Sequence, residues 1–251
     1  MRLTVLGSAA SYPGPGQACT GHLIEGCGES VLLDCGPGVL SNLGRVMDPL
    51  GLNAVFISHR HPDHFLDVYG LQALLRFAPS GPVGSLPLYG PAGLFERMLC
   101  LLDQRGKAAF AEAFEFIELR ANEPVTCGSL TITPMPVDHV DTTFAMRVRA
   151  EDGETTLCYT SDCRVGPGVT TAASGADVLI ADATLPTMYA GRAPHMTPVE
   201  TGRLASESGV RLLILGHLWP TADREQLLSD ARTAFDGEIL LAEELMTVEL
   251  P

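Results

Sequence analysis

Four side chains of metal-binding type crowd into six positions directly after a short apolar run. The run covers residues 54–57, and the segment SHRHPDH follows it, with His59, His61, Asp63 and His64 as the four candidates. A short, continuously apolar run is typical of a strand that is buried on both faces. A helix could not aim all four side chains inward, whereas a tight loop at a strand end can. The pattern therefore predicts a metal-binding loop at the end of a buried strand.

Three further candidates also come directly after strand-like runs. His139 follows TITPMPVD, Asp162 follows TLCYTS, and His217 follows RLLILG. On its own, a histidine after a strand is more often a surface or capping residue, but beside the loop these three become ligand candidates. Together the seven side chains suffice for two divalent ions, with Asp162 as the natural bridge. Each ion then keeps a position open for water, which is typical of a catalytic site.

The donor set indicates the kind of metal and the kind of chemistry. Imidazole and carboxylate donors without thiolate suit zinc, manganese or iron in a hydrolytic role. A water that bridges two such ions loses a proton near neutral pH, because bound zinc lowers its pKa to about 7. We therefore expect two divalent ions, Zn²⁺ first with Mn²⁺ or Fe²⁺ as alternatives, and a hydrolase that uses a metal-bridging hydroxide.

The chain is strongly acidic, since 16 basic and 30 acidic residues among 251 give a formal charge of −14. Such a surface repels a nucleic-acid backbone and anionic lipid, because nonspecific nucleic-acid binding depends on Lys and Arg. Two divalent ions would add positive charge only in the cleft, so a small anionic substrate is favoured over a long nucleic acid. Seven scattered cysteines without a CxxC pair, no signal-like start and no apolar run of about 20 residues predict a cytoplasmic protein without a membrane span.

Strand-like and helix-like runs interleave along the chain, and no linker or low-complexity segment divides them. We therefore predict one domain over residues 1–251, in which helices cover stacked sheets. A helix is predicted over 198–208, with Thr197 as its N-cap and proline at its first position. The other predicted helices cover 39–47, 66–77, 91–102 and 227–235, and the predicted strands cover 3–6, 20–24, 30–33, 54–57, 114–119, 130–134, 143–149, 155–159, 178–181, 211–215, 238–241 and 246–250.

In this order, Asp34 in VLLDCG, the HRHPDH loop, His139, Asp162 in YTSDC and His217 in LILGH resemble the metallo-β-lactamase-fold hydrolases over nearly the whole chain. The resemblance implies an α+β four-layer αββα sandwich, with two stacked mixed sheets and a dinuclear site at one edge. It implies that the residue matching Asp34 lies behind the ligands and orients an imidazole or the loop backbone. The implied ligands are His59, His61 and His139 on one ion, Asp63, His64 and His217 on the other, and Asp162 on both.

Within that superfamily the details resemble the ribonuclease Z branch. The opening LGSAASYPGPGQACTGHLIE and the segment LPLYGPAGL are similar to that branch, and His195-Met196-Thr197 resembles its HST triplet. Asp182-Ala183-Thr184 resembles its E-x-T motif, with an aspartate that is one methylene shorter than the usual glutamate. The resemblance implies His195 as a general acid and Asp182 as its orienting carboxylate. Asp63 is expected to accept the proton of the bridging water while it ligates.

The chain departs from the full tRNA-processing enzymes, which carry a tRNA-gripping arm between the positions of His139 and Asp162. Here residues 140–161 read as two strands joined by the acidic turn Glu151-Asp152-Gly153-Glu154, so no arm is predicted. The resembling branch commonly forms dimers, which leaves a homodimer open for this chain.

The leading hypothesis is a phosphodiesterase that acts on small diesters, such as cyclic nucleotides or short oligonucleotides. One alternative is an acyl hydrolase, such as a lactonase, a thioesterase or a β-lactamase-like enzyme. Another is an RNA-processing nuclease without the arm, with Arg60, Arg76 and Arg164 as phosphate contacts. An iron redox site ranks last, because redox relatives typically carry a glutamate in the metal loop, where Pro62 stands here. Trp219 is a candidate pocket wall, and Cys163 is interpreted as a buried small residue.

Overall fold

Two seven-stranded mixed sheets stack face to face in the computed structural model, which describes residues 1–79, 81–151, 153 and 155–250. The spatial order is β14-β1-β2-β3-β4-β5-β6 in the first sheet and β13-β12-β11-β10-β9-β8-β7 in the second. The first sheet is built from β1 (Arg2–Gly7), β2 (Gly21–Gly26), β3 (Glu29–Leu33), β4 (Ala54–Phe56), β5 (Leu86–Gly90), β6 (Phe114–Glu118) and the last strand, β14 (Thr247–Glu249). The second is built from β7 (Val125–Cys127), β8 (Leu130–Val137), β9 (Thr143–Ala150), β10 (Thr156–Tyr159), β11 (Val178–Asp182), β12 (Leu212–Gly216) and β13 (Glu238–Leu241).

The two sheets repeat one pattern of pairing. In the first sheet β14, β1, β2 and β3 pair antiparallel, and β3, β4, β5 and β6 pair parallel. In the second sheet β7, β8, β9 and β10 pair antiparallel, and β10, β11, β12 and β13 pair parallel. The parallel half of each sheet therefore ends at an edge where several strand ends and their loops meet.

Helices cover the outer face of each sheet and complete the four layers. Alternate strand residues face opposite ways, so Phe56 of β4 packs between the sheets while its neighbour Val55 packs against the helices. The first sheet carries α1 (Val39–Val46), α2 (Val68–Phe77), α3 (Leu94–Leu99) and α4 (Gln104–Ala113), and the second carries α5 (Pro167–Ala173), α6 (Pro198–Ser208) and α7 (Arg224–Arg232). This confirms the predicted α+β αββα sandwich with two stacked mixed sheets.

The predicted helix over 198–208 is confirmed as α6. Thr197 caps it through a hydrogen bond from the backbone N–H of Glu200, whose side chain in turn accepts from the backbone N–H of Thr197. The predicted start of the last helix at residue 227 is wrong, because Asp223 accepts hydrogen bonds from two backbone N–H groups and starts α7 at Arg224. The predicted helix over 91–102 is shorter in the structure, where it covers Leu94–Leu99.

The segment between His139 and Asp162 is short. Residues 143–150 form β9 and Thr156–Tyr159 form β10, which confirms the two predicted strands between these residues. Two residues of the predicted acidic turn, Asp152 and Glu154, lie outside the described residues. Among the described residues, no helix has the length and apolar character needed to cross a bilayer.

A close backbone approach at Gly36 gives the first prediction. A Cβ at Gly36 would lie 1.9 Å from the carbonyl oxygen of Asp63, in the loop that follows β4. We expect Gly36→Ala to lower the free energy of unfolding by about 1–3 kcal/mol, since that backbone has to move. Gly44 is an exposed glycine inside α1, and a Cβ there would meet no atom within 4 Å. Gly44→Ala should therefore raise the free energy of unfolding by about 0.5–1 kcal/mol.

Urea unfolding of both variants, followed by circular dichroism in chelator, measures the two effects. The same Gly→Ala change should lower the free energy of unfolding at position 36 and raise it at position 44. A Gly36→Ala protein that is as stable as Gly44→Ala would contradict the close packing of these two loops.

Candidate metal centre

The candidate ligands meet at one edge of the sandwich, where strands of both sheets end. Residues 58–64 follow β4 of the first sheet, and Asp162 follows β10 of the second. His139 comes after the end of β8, and His217 directly after β12. Strands β4, β10 and β12 belong to the parallel halves of their sheets, so their carboxyl ends face the same crevice. Residues that are up to 158 positions apart thereby converge on one site.

The first group of ligand atoms comes from both sheets. One donor atom each from His59, His61, His139 and Asp162 lies within 4.8 Å of the others. His139 Nε2 lies 3.4 Å from His61 Nδ1, and His59 Nε2 lies 3.7 Å from Asp162 Oδ2. These spacings suit donors that surround a single cation.

The second group lies on the other side of Asp162. Donor atoms of Asp63, His64 and His217 lie within 4.8 Å of one another, and His217 Nε2 is 3.4 Å from Asp63 Oδ2. Asp162 approaches this group too, with Oδ1 at 3.4 Å from His64 Nε2 and Oδ2 at 3.3 Å from His217 Nε2. The structure thus brings all seven predicted ligands together, with Asp162 between the two groups.

The site fits a cation by a second, independent criterion. Three of the seven buried side-chain atoms that lack a hydrogen-bond partner among the described residues belong to this cluster, namely His59 Nε2, His64 Nε2 and Asp162 Oδ1. A buried polar atom without a partner costs about 1–3 kcal/mol. All three atoms point into the cluster, where a divalent ion would satisfy them. The clustered histidine and aspartate side chains therefore support divalent metal binding.

The electrostatic environment keeps most of the ligands in their metal-binding forms. Burial lowers the pKa of His59, His61 and His139, so these rings are neutral near pH 7. Burial by itself would raise the pKa of Asp162, but the charges of His217 and His64 outweigh it and hold that pKa well below its ordinary value. The rings of His59, His61 and His139 are therefore neutral and the Asp162 carboxylate is ionised near pH 7.

His64 is the exception, because carboxylates lie on both sides of its ring. Burial would lower its pKa, but Asp162 and Asp34 outweigh burial and raise the pKa well above its ordinary value. A cation that bound at His64 Nε2 would therefore have to displace a proton.

Each of four ligand imidazoles is held from behind through its Nδ1 atom. His64 Nδ1 lies 2.7 Å from Asp34 Oδ2, and His139 Nδ1 lies 2.9 Å from the carbonyl oxygen of Pro194. Both partners only accept, so both Nδ1 atoms donate and the Nε2 atoms face the cluster. The other two contacts join His59 Nδ1 to Ser58 Oγ at 3.0 Å and His217 Nδ1 to Thr184 Oγ1 at 2.7 Å.

Asp34 lies behind the ligands, where the resemblance implied it. Its fully buried carboxylate accepts from the backbone N–H and hydroxyl of Ser58 at 2.7 and 2.8 Å and from the Tyr159 hydroxyl at 2.7 Å, besides the His64 ring. Tyr159 belongs to β10 of the opposite sheet. One carboxylate thus joins the metal loop to both sheets.

Asp182 orients two histidines through its two oxygens. His195 Nδ1 lies 2.8 Å from Asp182 Oδ2, so the shorter side chain reaches the ring despite the missing methylene. Thr184 Oγ1 donates to Asp182 Oδ1 at 2.6 Å and accepts from His217 Nδ1. His195 also belongs to a group with Asp162, Asp182 and His217 whose donor atoms lie within 4.8 Å of one another. The His195 ring therefore stands at the rim of the cluster, with an orienting carboxylate behind it.

Backbone strain concentrates at this edge. Seven non-glycine residues with positive φ occur among the described residues. Four of them belong to the site: Ser11, Asp34, Ser161 and His217, with φ between 52° and 60°. Such conformations persist where surrounding contacts over-determine them, and they are frequent at functional sites.

The three arginines considered as phosphate contacts are all paired with carboxylates. Arg60 donates to Asp141, Arg76 to Glu112, and Arg164 lies 3.2 Å from Asp138.

Cys163 is fully buried, and burial raises the pKa of its thiol well above the ordinary value, in agreement with its interpretation as a small buried residue.

Sequence reasoning missed the residues that hold the histidines in place. Ser58, Tyr159, Thr184 and the carbonyl of Pro194 carry no metal-binding signal of their own. Ser58 and Thr184 had a positional signal, since the first precedes His59 directly and the second closes the Asp182-Ala183-Thr184 motif. Nothing local in the sequence marks Tyr159, whose partner Asp34 is 125 positions away.

Known proteins resemble this chain over nearly its whole length. A family model described as "Beta-lactamase superfamily domain" matches residues 29–218. The chain is 34% identical over 245 residues to the protein Rv1339 of Mycobacterium tuberculosis, which covers 95% of this chain and 88% of that protein. It is 32% identical over 245 residues to "Probable metallo-hydrolase YhfI" of Bacillus subtilis (96% and 97%) and 26% identical over 304 residues to ribonuclease Z of Methanosarcina acetivorans (100% and 98%). The crystal structure of YhfI, described as a metallo-beta-lactamase fold protein, matches with a TM-score of 0.88 and 31% identity over 99% of both chains.

The hydrogen bonds of Asp34 give a prediction for metal affinity. Asp34→Asn keeps the shape of the side chain but replaces one carboxylate oxygen with an NH₂ group. All the groups around Asp34 are hydrogen-bond donors, so this NH₂ group has no acceptor and the hydrogen bond that orients the His64 ring is weakened or lost. We expect metal affinity to fall about 10- to 100-fold, as when partners that orient a ligand are removed elsewhere. Asp48→Asn is the matched control, because Asp48 is exposed and caps a short turn away from the site. Competition with a chromogenic chelator measures both variants, and equal affinities would contradict the role of Asp34.

Proposed function

Because the chain belongs to the metallo-β-lactamase-fold hydrolases, in their ribonuclease Z-like branch, it is a metal-dependent hydrolase, and we propose that it is a dinuclear phosphodiesterase. Its substrates in this proposal are small diesters, such as cyclic nucleotides or short oligonucleotides. The observation that carries the proposal is the His195–Asp182 pair at the rim of the ligand cluster. An alkoxide leaving from phosphorus needs a proton, and this pair is built to deliver one.

The proposed ligands divide into two sets. His59, His61 and His139 would hold one divalent ion, zinc by preference, and Asp63, His64 and His217 the other, with Asp162 shared between them. When bound, such ions supply Lewis acidity and a nucleophile derived from water at neutral pH. Their charge also offsets part of the acidic surface, so the cleft attracts a small anion while the remaining surface repels a long one.

His195 is the proposed general acid. Burial would lower its pKa, but the hydrogen bond from its Nδ1 to Asp182 and the charge of that carboxylate outweigh burial and raise the pKa above its ordinary value. With Nδ1 committed to Asp182, the proton at Nε2 is free to pass to the departing oxygen. The ring is partly exposed, with 18% of the side chain accessible, so a substrate can reach it.

Asp63 is the proposed acceptor of a hydrogen bond, and then of a proton, from the attacking water. Burial would raise its pKa, but the hydrogen bond with His217 and the charge of His64 hold the pKa below its ordinary value. The carboxylate is therefore ionised, and the backbone N–H of Ser11, which lies 2.8 Å from Oδ2, fixes its orientation.

A substrate panel tests the reaction class. Zinc- and manganese-loaded protein would be assayed on bis(p-nitrophenyl) phosphate, on 2′,3′- and 3′,5′-cyclic nucleotides, on a lactone, on a thioester and on precursor tRNA. We expect the highest kcat/KM on a small phosphodiester. Preference for the lactone or the thioester would establish the acyl-hydrolase alternative instead, and preference for precursor tRNA would establish the nuclease alternative.

Metal removal tests the number of ions. Dialysis against a chelator should abolish hydrolysis, and titration with Zn²⁺ should restore it with two equivalents bound. His61→Ala and His217→Ala each remove a ligand from one set only, so each variant should keep about one tightly bound equivalent of zinc. Elemental analysis after gel filtration measures the stoichiometry, and one equivalent in the wild type would contradict a dinuclear site.

Loss of His195 should depend on the leaving group. For a diester with a poor alkoxide leaving group, His195→Ala is expected to lower kcat roughly 10²- to 10⁴-fold, the usual contribution of a general acid. For an aryl diester such as bis(p-nitrophenyl) phosphate, whose leaving group needs no proton, the loss should be much smaller. Arg192→Ala is the control, because Arg192 is an exposed cation in the same loop that stacks on Tyr189. Equal losses on both substrates would exclude the general-acid role.

A further inference from the structure

A cavity of about 540 Å³ is lined by Thr184, the residue whose hydroxyl contacts His217 Nδ1. One wall is the turn at Thr187–Tyr189, which follows β11, and the opposite wall is α7 with the loop that precedes it. The indole of Trp219 lines the cavity between them. This volume lies within the range of cavities that bind small organic molecules.

The cavity adjoins the groups that support the cluster from behind. Thr184 lines it, and the hydroxyl of that residue is the group that holds His217 Nδ1 at 2.7 Å. Trp219 follows His217 by two positions, and its ring centroid lies 5.9 Å from that of Tyr12. Tyr12 follows Ser11, whose backbone N–H binds Asp63. The Tyr12–Trp219 aromatic pair therefore connects the segment that binds Asp63 to the lining of the cavity.

The lining favours a flat neutral group over an anion. Met188 is 77% exposed and Tyr12 is 49% exposed, so apolar surface faces solvent beside the cluster. Among the described residues that line the cavity, none is basic, and Asp223 and Asp230 are acidic. A phosphate is thus attracted to the metal cluster and repelled from the cavity. The phosphate of a bound ester would therefore lie at the cluster, and its neutral organic group in the cavity.

The cavity walls are held together by polar contacts. Asp230 of α7 accepts hydrogen bonds from the Thr187 hydroxyl on the opposite wall and from the Gln226 side chain. Asp223 is bound to the first turn of α7. The space between Met188 and Trp219 is therefore preformed, which lowers the entropic cost of binding a rigid planar group.

We propose that this cavity is a subsite for a nucleobase attached to the scissile phosphodiester, with the base against Trp219 and Met188 and the phosphate at the metal cluster. This assignment rests on the proposed phosphodiesterase function and narrows its substrates to nucleotide diesters. Stacking on an aromatic ring tolerates any base, because every base has a π-face. The subsite thus explains recognition of a nucleotide without basic side chains in the cavity.

Trp219 itself reports on the subsite, since the chain contains one tryptophan. Zinc-loaded protein would be titrated with adenosine 5′-monophosphate and with ribose 5-phosphate, which keeps the sugar and phosphate but lacks the base. We expect a saturable change of tryptophan fluorescence with the first ligand and none, at matched concentrations, with the second. A response of equal size and midpoint for the two ligands, or no response to either, would overturn the subsite.

Variants test the contact by a measurement that does not need the fluorophore. Equilibrium dialysis should show that Trp219→Ala binds adenosine 5′-monophosphate roughly 5- to 150-fold more weakly, the range expected for loss of one base–aromatic stack. Trp219→Phe keeps an aromatic ring and should keep most of the affinity, and both variants should bind ribose 5-phosphate like the wild type. Phe77→Ala is the control, because Phe77 is 69% exposed at the end of α2, away from the cavity.

Affinity for adenosine 5′-monophosphate that is the same in Trp219→Ala and wild type would overturn the subsite. Hydrolysis of bis(p-nitrophenyl) phosphate by the wild-type protein keeps the two proposals apart. If that diester is hydrolysed but adenosine 5′-monophosphate binds no differently from ribose 5-phosphate, only the proposed subsite is wrong. If no diester is hydrolysed, the proposed function is wrong, and the fluorescence titration still decides whether the cavity binds a base.

Discussion

One buried carboxylate, that of Asp34, ties the two sheets together behind the ligand cluster. It lies at the end of β3 and accepts hydrogen bonds from the metal loop through Ser58 and His64 and from the opposite sheet through Tyr159. A buried charge is tolerated only where hydrogen bonds replace its lost hydration. Those bonds can form only if β3, the loop after β4 and β10 are all in register. The position of His64, and of the loop that carries it, thus depends on the packing of the whole sandwich.

The convergence of the candidate ligands could be predicted from the sequence, and the resemblance implied Asp34 and Asp182 behind them, whereas the neutral groups that hold the histidines could not be predicted. His59, His61, Asp63 and His64 are close in the sequence and follow a buried strand, so local spacing alone brings them together. The Thr184–His217 bond joins positions 33 apart, and the Tyr159–Asp34 bond joins positions 125 apart. Such pairs exist only once the sheet order is known, and no local pattern contains that order.

The same distinction applies to the secondary structure. The predicted helix over 198–208 carries its own start signal in Thr197 and the following proline, so its boundaries are local. Four elements were not predicted: β5 contains Pro87, β7 spans three residues, α4 is largely polar and small, and α5 begins Pro-Gly. Their sequences have weak propensities, and tertiary packing decides them: β5 pairs with β4 and β6, and α4 buries Phe110 against the first sheet.

The connection from β11 to α6 links the proposed chemistry to the proposed specificity. It begins at Asp182, which orients His195 directly and His217 through Thr184. It then forms the Thr187–Tyr189 wall of the cavity, and the carbonyl of Pro194 returns to hold His139 before the capping box of α6 ends the segment. Because one short segment supports two candidate ligands, carries the proposed general acid and lines the cavity, a change in its path alters all of these together.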